Sequence, residues 1–357
     1  MKKRIALMVL CVLLILSLSA CGSKKKFTQE AVVDPESYAG TSFDFFAEMA
    51  EPSYLIPALN QYFVPQGMDV WQEKNLLMIS GYFSEPEYSA GSVILTVDLK
   101  TGKYKGEYYI QNADGTDYDG HAGGIAVTEK NVFISDAGAL LRIPLNAFQS
   151  GKRVKAVAIA EKIKVPVNAA YCNYSVGMLW VGDFQGSSSP TPTWRHLENR
   201  DGETYYAWCV GYRLTNETEN EFTQEQLKFS ADYATPDCIL SIPDRIQGIT
   251  VSEDHIVLSQ SYGRKNDSTI FYYNNLLDTV PHTALTVNGA RIPVWFLDSD
   301  VLSFQLDGAL PMSEGITMDN DRLLILFESG ADRYRNNDGK NPTDHIWSME
   351  QNERKKQ

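Results

Sequence analysis

Short apolar runs with alternating hydrophobic and polar positions fill the chain beyond residue 64, and no segment there keeps a helical period for long. Many of these runs are rich in β-branched and aromatic residues and are bounded by turn-forming residues, which is typical of strands. In five places, two runs are joined by a turn of three or four residues. The paired runs lie at residues 67–71 and 76–80, 124–127 and 132–136, 171–174 and 178–183, 248–251 and 256–259, and 315–318 and 323–327. The pattern predicts a repeated antiparallel unit.

A third run follows each pair, and a fourth run follows four of the five pairs. The predicted third strands lie at residues 93–99, 139–144, 208–214, 269–273 and 345–349. The predicted fourth strands lie at residues 104–110, 154–159, 238–242 and 301–306. Repeated four-stranded units predict an all-β fold, a β-propeller, whose blades surround a central channel. We predict five blades, with six as the alternative, because residues 282–306 hold more strand pattern than one blade needs.

The fifth unit lacks a fourth strand of its own, because the chain after Met349 is polar and charged. The segment Ser53-Tyr54-Leu55-Ile56-Pro57 precedes the first unit and has strand character. Pairing of this segment onto blade five would close the ring without a free edge. The sequence therefore predicts a propeller closed by an N-terminal strand.

A short motif introduces the first strand of units one, four and five. It consists of a proline, then a Gln or Glu, then a glycine: Pro65-Gln66-Gly67, Pro243 with Gln247-Gly248, and Pro311 with Glu314-Gly315. Units two and three carry Gly123 and Ala170 where the Gln or Glu would stand. The predicted ring is therefore asymmetric near its axis.

Loop lengths indicate which face of the propeller carries the functional site. Turns between first and second strands are short, whereas several loops between second and third strands are long and rich in aromatic and polar residues. In an antiparallel blade, the second-to-third loop and the connection to the next blade lie at the same end, so the motif and the long loops share one face. Loops on a rigid scaffold commonly carry function.

We expect a ligand site on this face. The residues predicted near the axis are Gln66, His121, Asn168, Gln247 and Glu314. The residues predicted at the rim are Tyr82, Trp194, Tyr262, Arg264, Arg333 and Tyr334. The alternative is that the axial Gln and Glu side chains bridge neighbouring blades and that the aromatic residues cover the tops of the blades.

The strand count and the segment Ser313-Glu314-Gly315-Ile316 resemble propellers of the gluconolactonase and strictosidine-synthase kind. The resemblance implies a metal ion on the axis, with Ca²⁺ as the ion and Glu314 as its ligand. It also implies a metal-dependent hydrolase or lactonase, with Asn168 and Gln66 assisting the ion and His121 as a base. Gln66 and Gln247 stand where the other carboxylate ligands would be.

The N-terminus predicts export and anchoring. A basic start, Lys2-Lys3-Arg4, precedes an apolar segment at residues 5–18. The sequence Leu18-Ser19-Ala20-Cys21 then resembles a bacterial lipobox, which implies cleavage before Cys21 and acylation of Cys21, with palmitate among its acyl chains. The alternative is an uncleaved anchor helix, for which the apolar segment is short. The predicted location is the extracytoplasmic face of the cell membrane.

These patterns divide the chain into four parts. Residues 1–20 are the predicted signal peptide, 21–40 the lipidated cysteine and linker, 41–349 the propeller and 350–357 a polar tail.

The formal net charge of −13 argues against nucleic acid as a partner, because phosphate binding requires clustered Lys and Arg. Of five cysteines, Cys172, Cys209 and Cys238 lie beyond the anchor. This odd number favours free thiols, with a Cys209–Cys238 bridge as the alternative.

Nucleophile-elbow, zinc-protease and phosphate-loop motifs are absent from the sequence. The leading hypothesis is therefore a membrane-anchored binding propeller for an extracytoplasmic glycan, peptide or partner protein. The alternative is the metal-dependent hydrolase with its site on the axis.

Overall fold

Five blades of mainly antiparallel strands form a β-propeller in the computed structural model, which describes residues 27–34, 44–85, 91–148, 154–228 and 232–351. The strands in chain order are β1 (Glu51–Leu55), β2 (Phe63–Trp71), β3 (Leu76–Phe83), β4 (Val93–Asp98), β5 (Tyr104–Gln111), β6 (Gly124–Val127), β7 (Asn131–Asp136), β8 (Ala139–Pro144), β9 (Val154–Ala158), β10 (Glu161–Lys164), β11 (Tyr171–Ser175), β12 (Met178–Gly182), β13 (Leu197–Glu198), β14 (Thr204–Tyr205), β15 (Ala207–Arg213), β16 (Cys238–Ile242), β17 (Ile246–Val251), β18 (His255–Gln260), β19 (Ser268–Asn274), β20 (Thr283–Val287), β21 (Ala290–Phe296), β22 (Leu302–Ala309), β23 (Ser313–Asp319), β24 (Arg322–Phe327) and β25 (His345–Glu350). Within these ranges, two short α-helices occur, α1 (Asp44–Met49) and α2 (Asp332–Arg335).

Each blade begins at the axis with the first strand of one predicted unit. From the axis outward, the strand orders are β2-β3-β4-β5-β9 in blade one, β6-β7-β8-β10 in blade two, β11-β12-β15-β16-β21-β20 in blade three, β17-β18-β19-β22 in blade four and β23-β24-β25-β1 in blade five. The predicted all-β propeller of five blades is confirmed.

The ring closes as the sequence predicts. Strand β1 pairs antiparallel with β25, with Glu51 opposite Ser348 and Leu55 opposite His345. The N-terminal strand is therefore the outermost strand of blade five, which joins the two ends of the propeller domain through backbone hydrogen bonds.

The predicted fourth strand of blade two is wrong. Val154–Ala158 (β9) pairs in parallel with β5 at the outer edge of blade one, and Glu161–Lys164 (β10) pairs with β8 instead. The alternation of apolar and polar residues in β9 identifies a half-exposed strand, but it contains no information about which edge that strand joins.

The surplus strand pattern at residues 282–306 does not form a sixth blade. Strands β20 and β21 form a hairpin that extends blade three, with β21 parallel to β16. Strand β22 then completes blade four by pairing with β19. Blade three is therefore a six-stranded sheet.

Glycines bring the innermost strands of neighbouring blades into backbone contact. A Cβ atom on Gly67 would lie 2.5 Å from Cα of Gly124, and one on Gly124 would lie 2.3 Å from the backbone nitrogen of Cys172. A Cβ on Gly315 would in turn lie 3.0 Å from Cα of Gly67. The glycines of the repeated motif are therefore required where blades one, two, three and five meet.

The N-terminal residues 27–34, which lie in the predicted linker, pack against the propeller. The ring of Phe27 stacks on Phe83 at 5.3 Å between centroids. The backbone N–H groups of Val32 and Val33 donate to Oδ2 of Asp344 at 2.6 and 2.9 Å. This segment, here called the strap, connects blade one to the β24–β25 loop of blade five.

The predicted signal peptide and Cys21 lie outside the described residues, as do residues 352–357 of the predicted tail. No helix within the described ranges has the length and apolar character needed to cross a membrane. Cys172, Cys209 and Cys238 are buried free thiols, as the odd cysteine count favoured.

Candidate functional site

β-Bulges explain why a Gln or Glu precedes the glycine of the repeat. The pairing register shifts between Pro65 and Gly67 in blade one, and between Ile246 and Gly248 in blade four. A corresponding shift in blade five surrounds Glu314. Because a bulge changes the direction of a side chain relative to the regular strand, these three residues point away from the blade sheets, toward the axis.

A cavity of about 360 Å³ lies on the axis at the face that carries the second-to-third loops and the connections between blades, here called the long-loop face. Its lining residues come from all five blades: Gln66, Tyr82, His121, Gly123, Asp136, Ala137, Asn168, Ala169, Ala170, Phe184, Ser189, Gln247, Glu314, Glu328 and Tyr334. The five residues predicted near the axis are all among them, together with Tyr82 and Tyr334 from the predicted rim.

The other predicted rim residues do not line the cavity. Arg333 donates a 3.2 Å hydrogen bond to the hydroxyl of Tyr82, and the guanidinium of Arg264 lies 4.9 Å from the ring of Tyr334. Trp194 and Tyr262 lie further out and are 49% and 37% exposed. The predicted rim residues thus fall into three groups. Tyr82 and Tyr334 line the cavity, Arg333 and Arg264 contact these two tyrosines, and Trp194 and Tyr262 lie further out.

Two buried carboxyl groups of blade five line the cavity. Glu314 and Glu328 are only 3% and 9% exposed. Nε2 of Gln247 donates to Oε1 of Glu314 at 2.9 Å, and Nε2 of Gln66 donates to Oε2 of Glu328 at 2.8 Å. Each carboxyl group is therefore bound by a glutamine amide from a different blade.

The two carboxyl groups interact directly. Burial raises the pKa of Glu314 well above its ordinary value, and the charge of the adjacent Glu328 raises it further. Burial also raises the pKa of Glu328 to about 7, although hydrogen bonds from Gln66 and Tyr334 oppose this rise. At neutral pH the pair accordingly holds at least one proton, because two adjacent buried carboxylates repel each other strongly.

An imidazole and a tyrosine form another part of the cavity wall. The rings of His121 and Tyr82 are 4.5 Å apart between centroids. Burial lowers the pKa of His121, and this effect outweighs the opposing attraction of Asp136. His121 is therefore a neutral ring at neutral pH and adds no fixed positive charge to the cavity.

Sequence reasoning missed Asp136, Phe184 and Glu328. A second repeat could have revealed two of them, because an acidic residue ends or directly follows the second strand of blades two, three and five: Asp136, Asp183 and Glu328. In blade three, Asp183 instead binds the backbone N–H of Asn168 at 2.7 Å and the guanidinium of Arg195 at 2.5 Å. The repeat therefore locates the acids, but only the structure shows which of them reach the cavity.

The donor set does not fit the calcium site that the resemblance implies. Calcium requires six to eight oxygen ligands. Gln66 and Gln247 instead direct N–H groups at the carboxylates. Among the described residues, no group of three or more His, Cys, Asp or Glu side chains is placed to hold a metal ion. We therefore derive no chemistry through an ion here.

A second cavity, of about 530 Å³, opens on the opposite face among the short turns that join first and second strands. Its buried carboxylate, Asp69, accepts hydrogen bonds from the N–H groups of Val70 and Val127 at 2.8 and 2.7 Å and from the hydroxyl of Thr317 at 2.8 Å. Because both oxygens of Asp69 already accept hydrogen bonds from three blades, this group connects the blades, and the long-loop cavity is the better candidate site.

No family model matches the chain, and no curated protein matches its sequence. Three solved structures are similar to it at low sequence identity. These are hydrazine synthase of Kuenenia stuttgartiensis (10% identity, 73% of this chain and 55% of that chain, TM-score 0.33), glutaminyl cyclase of Myxococcus xanthus (8%, 84% and 92%, 0.40) and Hsv2 of Kluyveromyces lactis (9%, 72% and 57%, 0.29). The chain spans 55% of the hydrazine synthase chain and 57% of the Hsv2 chain. These likenesses concern the fold alone.

Proposed function

We propose that this protein is a membrane-anchored extracytoplasmic propeller that binds a small molecule, or the end of a glycan or peptide, in the axial cavity of its long-loop face. The observation that supports this proposal is the carboxyl pair of Glu314 and Glu328, which is held by Gln66 and Gln247 in a cavity of about 360 Å³. A cavity of this size lies in the usual range for small-ligand sites. Anchoring follows from the lipobox-like sequence that ends at Cys21.

The site is organised before any ligand arrives. Gln66 and Gln247 fix the orientation of the two carboxyl groups, and the bulges that direct these side chains belong to the central strands of the fold. Because little side-chain ordering remains to be done on binding, a small ligand meets a low entropic cost. A few fixed polar groups between aromatic walls are also the usual composition of a specific site.

Ligand-dependent thermal stability tests this function. Purified protein would be melted with a panel of mono- and oligosaccharides, amino acids, short peptides and amines. A compound present at 100 times its Kd raises the unfolding free energy by about 2.7 kcal/mol, which shifts the melting temperature by a few degrees. The proposal fails if no compound raises the melting temperature in a saturable way.

Anchoring needs its own test. In a bacterial host, wild-type protein is expected to be acylated and cleaved before residue 21, whereas a Cys21→Ser variant should be neither acylated nor cleaved at this position. A variant that is still acylated or still cleaved before residue 21 would contradict the proposed anchor.

The carboxyl pair also favours a second function, general acid–base catalysis. A carboxyl group with a pKa of about 7, as burial gives Glu328, can accept or donate a proton at neutral pH. Turnover of a bound panel compound that is lost in Glu328→Gln, with affinity retained, would support catalysis. Binding without turnover of any bound compound would leave the protein a binding module.

A further inference from the structure

We infer that the group recognised at the carboxyl pair of the axial cavity is a protonated amine carried by the ligand. This inference rests on the proposed binding function and names the chemical class of the ligand. It follows from the charge of the cavity, from its unoccupied hydrogen-bond acceptors and from its aromatic walls.

The charge of the cavity wall is negative. Glu314, Glu328 and Asp136 line it, whereas no lysine or arginine occurs among the described lining residues. The lining histidine, His121, lies against Tyr82, with 4.5 Å between the ring centroids and a tilt of 33° between the rings. The charge of Arg333 acts on Glu328 and lowers its pKa, but the guanidinium donates to the hydroxyl of Tyr82 and does not line the cavity. A cation in the cavity would therefore meet carboxylates in a wall that contains no Lys or Arg side chain.

Acceptor oxygens without a donor face the cavity. Nε2 of Gln66 donates to both the carbonyl of Pro65 and the carboxylate of Glu328, which fixes the amide orientation and leaves Oε1 free. Within the described chain, no donor reaches this Oε1 atom. Both hydrogen bonds to Asp136, from Tyr118 and Ala122, likewise end on Oδ2, so Oδ1 is free. Gln66 and Asp136 are 5% and 9% exposed.

Neither oxygen is among the fully buried side-chain atoms that lack a partner, so both remain accessible to a donor that enters the cavity. An ammonium group carries three N–H donors and no acceptor, and so it matches an acceptor-rich wall. A neutral hydroxyl supplies one donor only. The unoccupied oxygens of Gln66 and Asp136, together with the carboxyl pair, thus favour an ammonium group over a hydroxyl.

Aromatic rings complete the match. Tyr82, Phe184 and Tyr334 line the same cavity. The ring of Tyr334 is already contacted by the guanidinium groups of Arg264 and Arg333, so Tyr82 and Phe184 are the rings available to a ligand. The faces of such rings attract cations. When the amine binds, it replaces the proton that Glu314 and Glu328 share, and this proton passes to solvent. No covalent bond changes in this exchange.

Matched pairs of probes test the inference on the purified full-length protein. Each pair places an ammonium or a hydroxyl on the same skeleton: tyramine and tyrosol, cyclohexylmethylamine and cyclohexylmethanol, and 2-aminoethyl and 2-hydroxyethyl β-glucoside. Calorimetry at pH 7.5 should show at least one amine binding about tenfold or more tightly than its alcohol, which corresponds to about 1.4 kcal/mol. In buffers of different ionisation enthalpy, that amine should release a proton on binding.

The double variant Glu314→Gln/Glu328→Gln keeps the shape of the pair and removes its charge. It should abolish the preference for the amine and leave the affinity for the alcohol nearly unchanged. Glu85→Gln, which removes an exposed carboxylate from a loop on the same face, is the control and should retain the preference.

Equal affinity for amine and alcohol, or an amine preference that survives in the double variant, would overturn the inference. If none of the six probes binds and the panel compounds that bind carry no ammonium group, the inference fails and the proposed function stands. If no compound of either set binds, the proposed function fails as well.

Discussion

Gln66 of blade one donates a 2.8 Å hydrogen bond to Glu328 of blade five, across the seam where the ring begins and ends. The same amide also donates to the carbonyl of Pro65, so its orientation is fixed. One residue of the repeated motif therefore connects the two terminal blades and orients a carboxyl group of the candidate site. Stability and site chemistry are coupled at this position.

The carboxyl pair should make stability depend on pH. The pKa of Glu328 is about 7 in the folded protein and near 4.5 when unperturbed. Between about pH 4.5 and pH 7, the folded state therefore holds a proton that the unfolded state has lost. The stabilisation is therefore complete below about pH 4.5 and is lost as the pH rises through about 7. The slope is at most about 1.4 kcal/mol per pH unit for one proton.

Urea unfolding of the Glu314→Gln/Glu328→Gln variant checks this prediction. The variant should match wild type near pH 5 and exceed it at pH 8, by on the order of 3 kcal/mol. Other groups, such as Asp69, titrate in both proteins and cancel in the comparison. Parallel stability curves for the two proteins would show that the pair does not hold the proton.

The glycine contacts between blades should tolerate no side chain. Gly124→Ala would place a Cβ 2.3 Å from the backbone nitrogen of Cys172, so we expect a loss of about 3 kcal/mol or more. Gly115→Ala is the control, because nothing lies within 4 Å of its Cβ position; its φ of +83° should cost only about 1–2 kcal/mol. Denaturant unfolding measures both, and equal losses would contradict backbone contact between the blades.

Because β1 closes the ring, truncation of its Tyr54 side chain should strongly lower the free energy of unfolding. This side chain is buried, and its hydroxyl donates to the carbonyl of Leu99 in blade one at 3.1 Å. Tyr54→Ala should cost about 3–5 kcal/mol, whereas Tyr54→Phe, which retains the packing, should cost about 1 kcal/mol. If Tyr54→Ala unfolds with the wild-type midpoint and slope, closure by this strand does not stabilise the ring.

The attachment of the strap to the propeller should depend on the carboxylate of Asp344. Asp344→Ala removes the acceptor of the Val32 and Val33 N–H groups, so hydrogen exchange of these two amides should accelerate at least tenfold. His345→Ala is the control, because it removes only the 2.6 Å contact of the imidazole with the other carboxylate oxygen. Unchanged protection of Val32 and Val33 in the Asp344 variant would show that other contacts hold the strap.

The sequence predicts much of this fold because each first strand carries its own turn signal and alternation. It also locates the face of the site, since Gln66, Gln247 and Glu314 share one motif. It could not assign β9 to blade one, because an edge strand has the same pattern whichever edge it joins. The contact between Glu314 and Glu328 could not be predicted either, because it depends on the tertiary structure. Both residues lie near strand ends, and a bulge sets the distance between them.

The most direct measurement of the central claim is ligand affinity after the axial cavity is blocked. Ser189 lines the cavity and is exposed, whereas its neighbour Ser188 is exposed but does not line it. We would determine by calorimetry the affinity of Ser189→Trp and Ser188→Trp for the tightest-binding panel compound. A site in the axial cavity predicts at least a tenfold loss in Ser189→Trp and wild-type affinity in Ser188→Trp, which corresponds to a difference of about 1.4 kcal/mol. Equal affinity in the two correctly folded variants would contradict it.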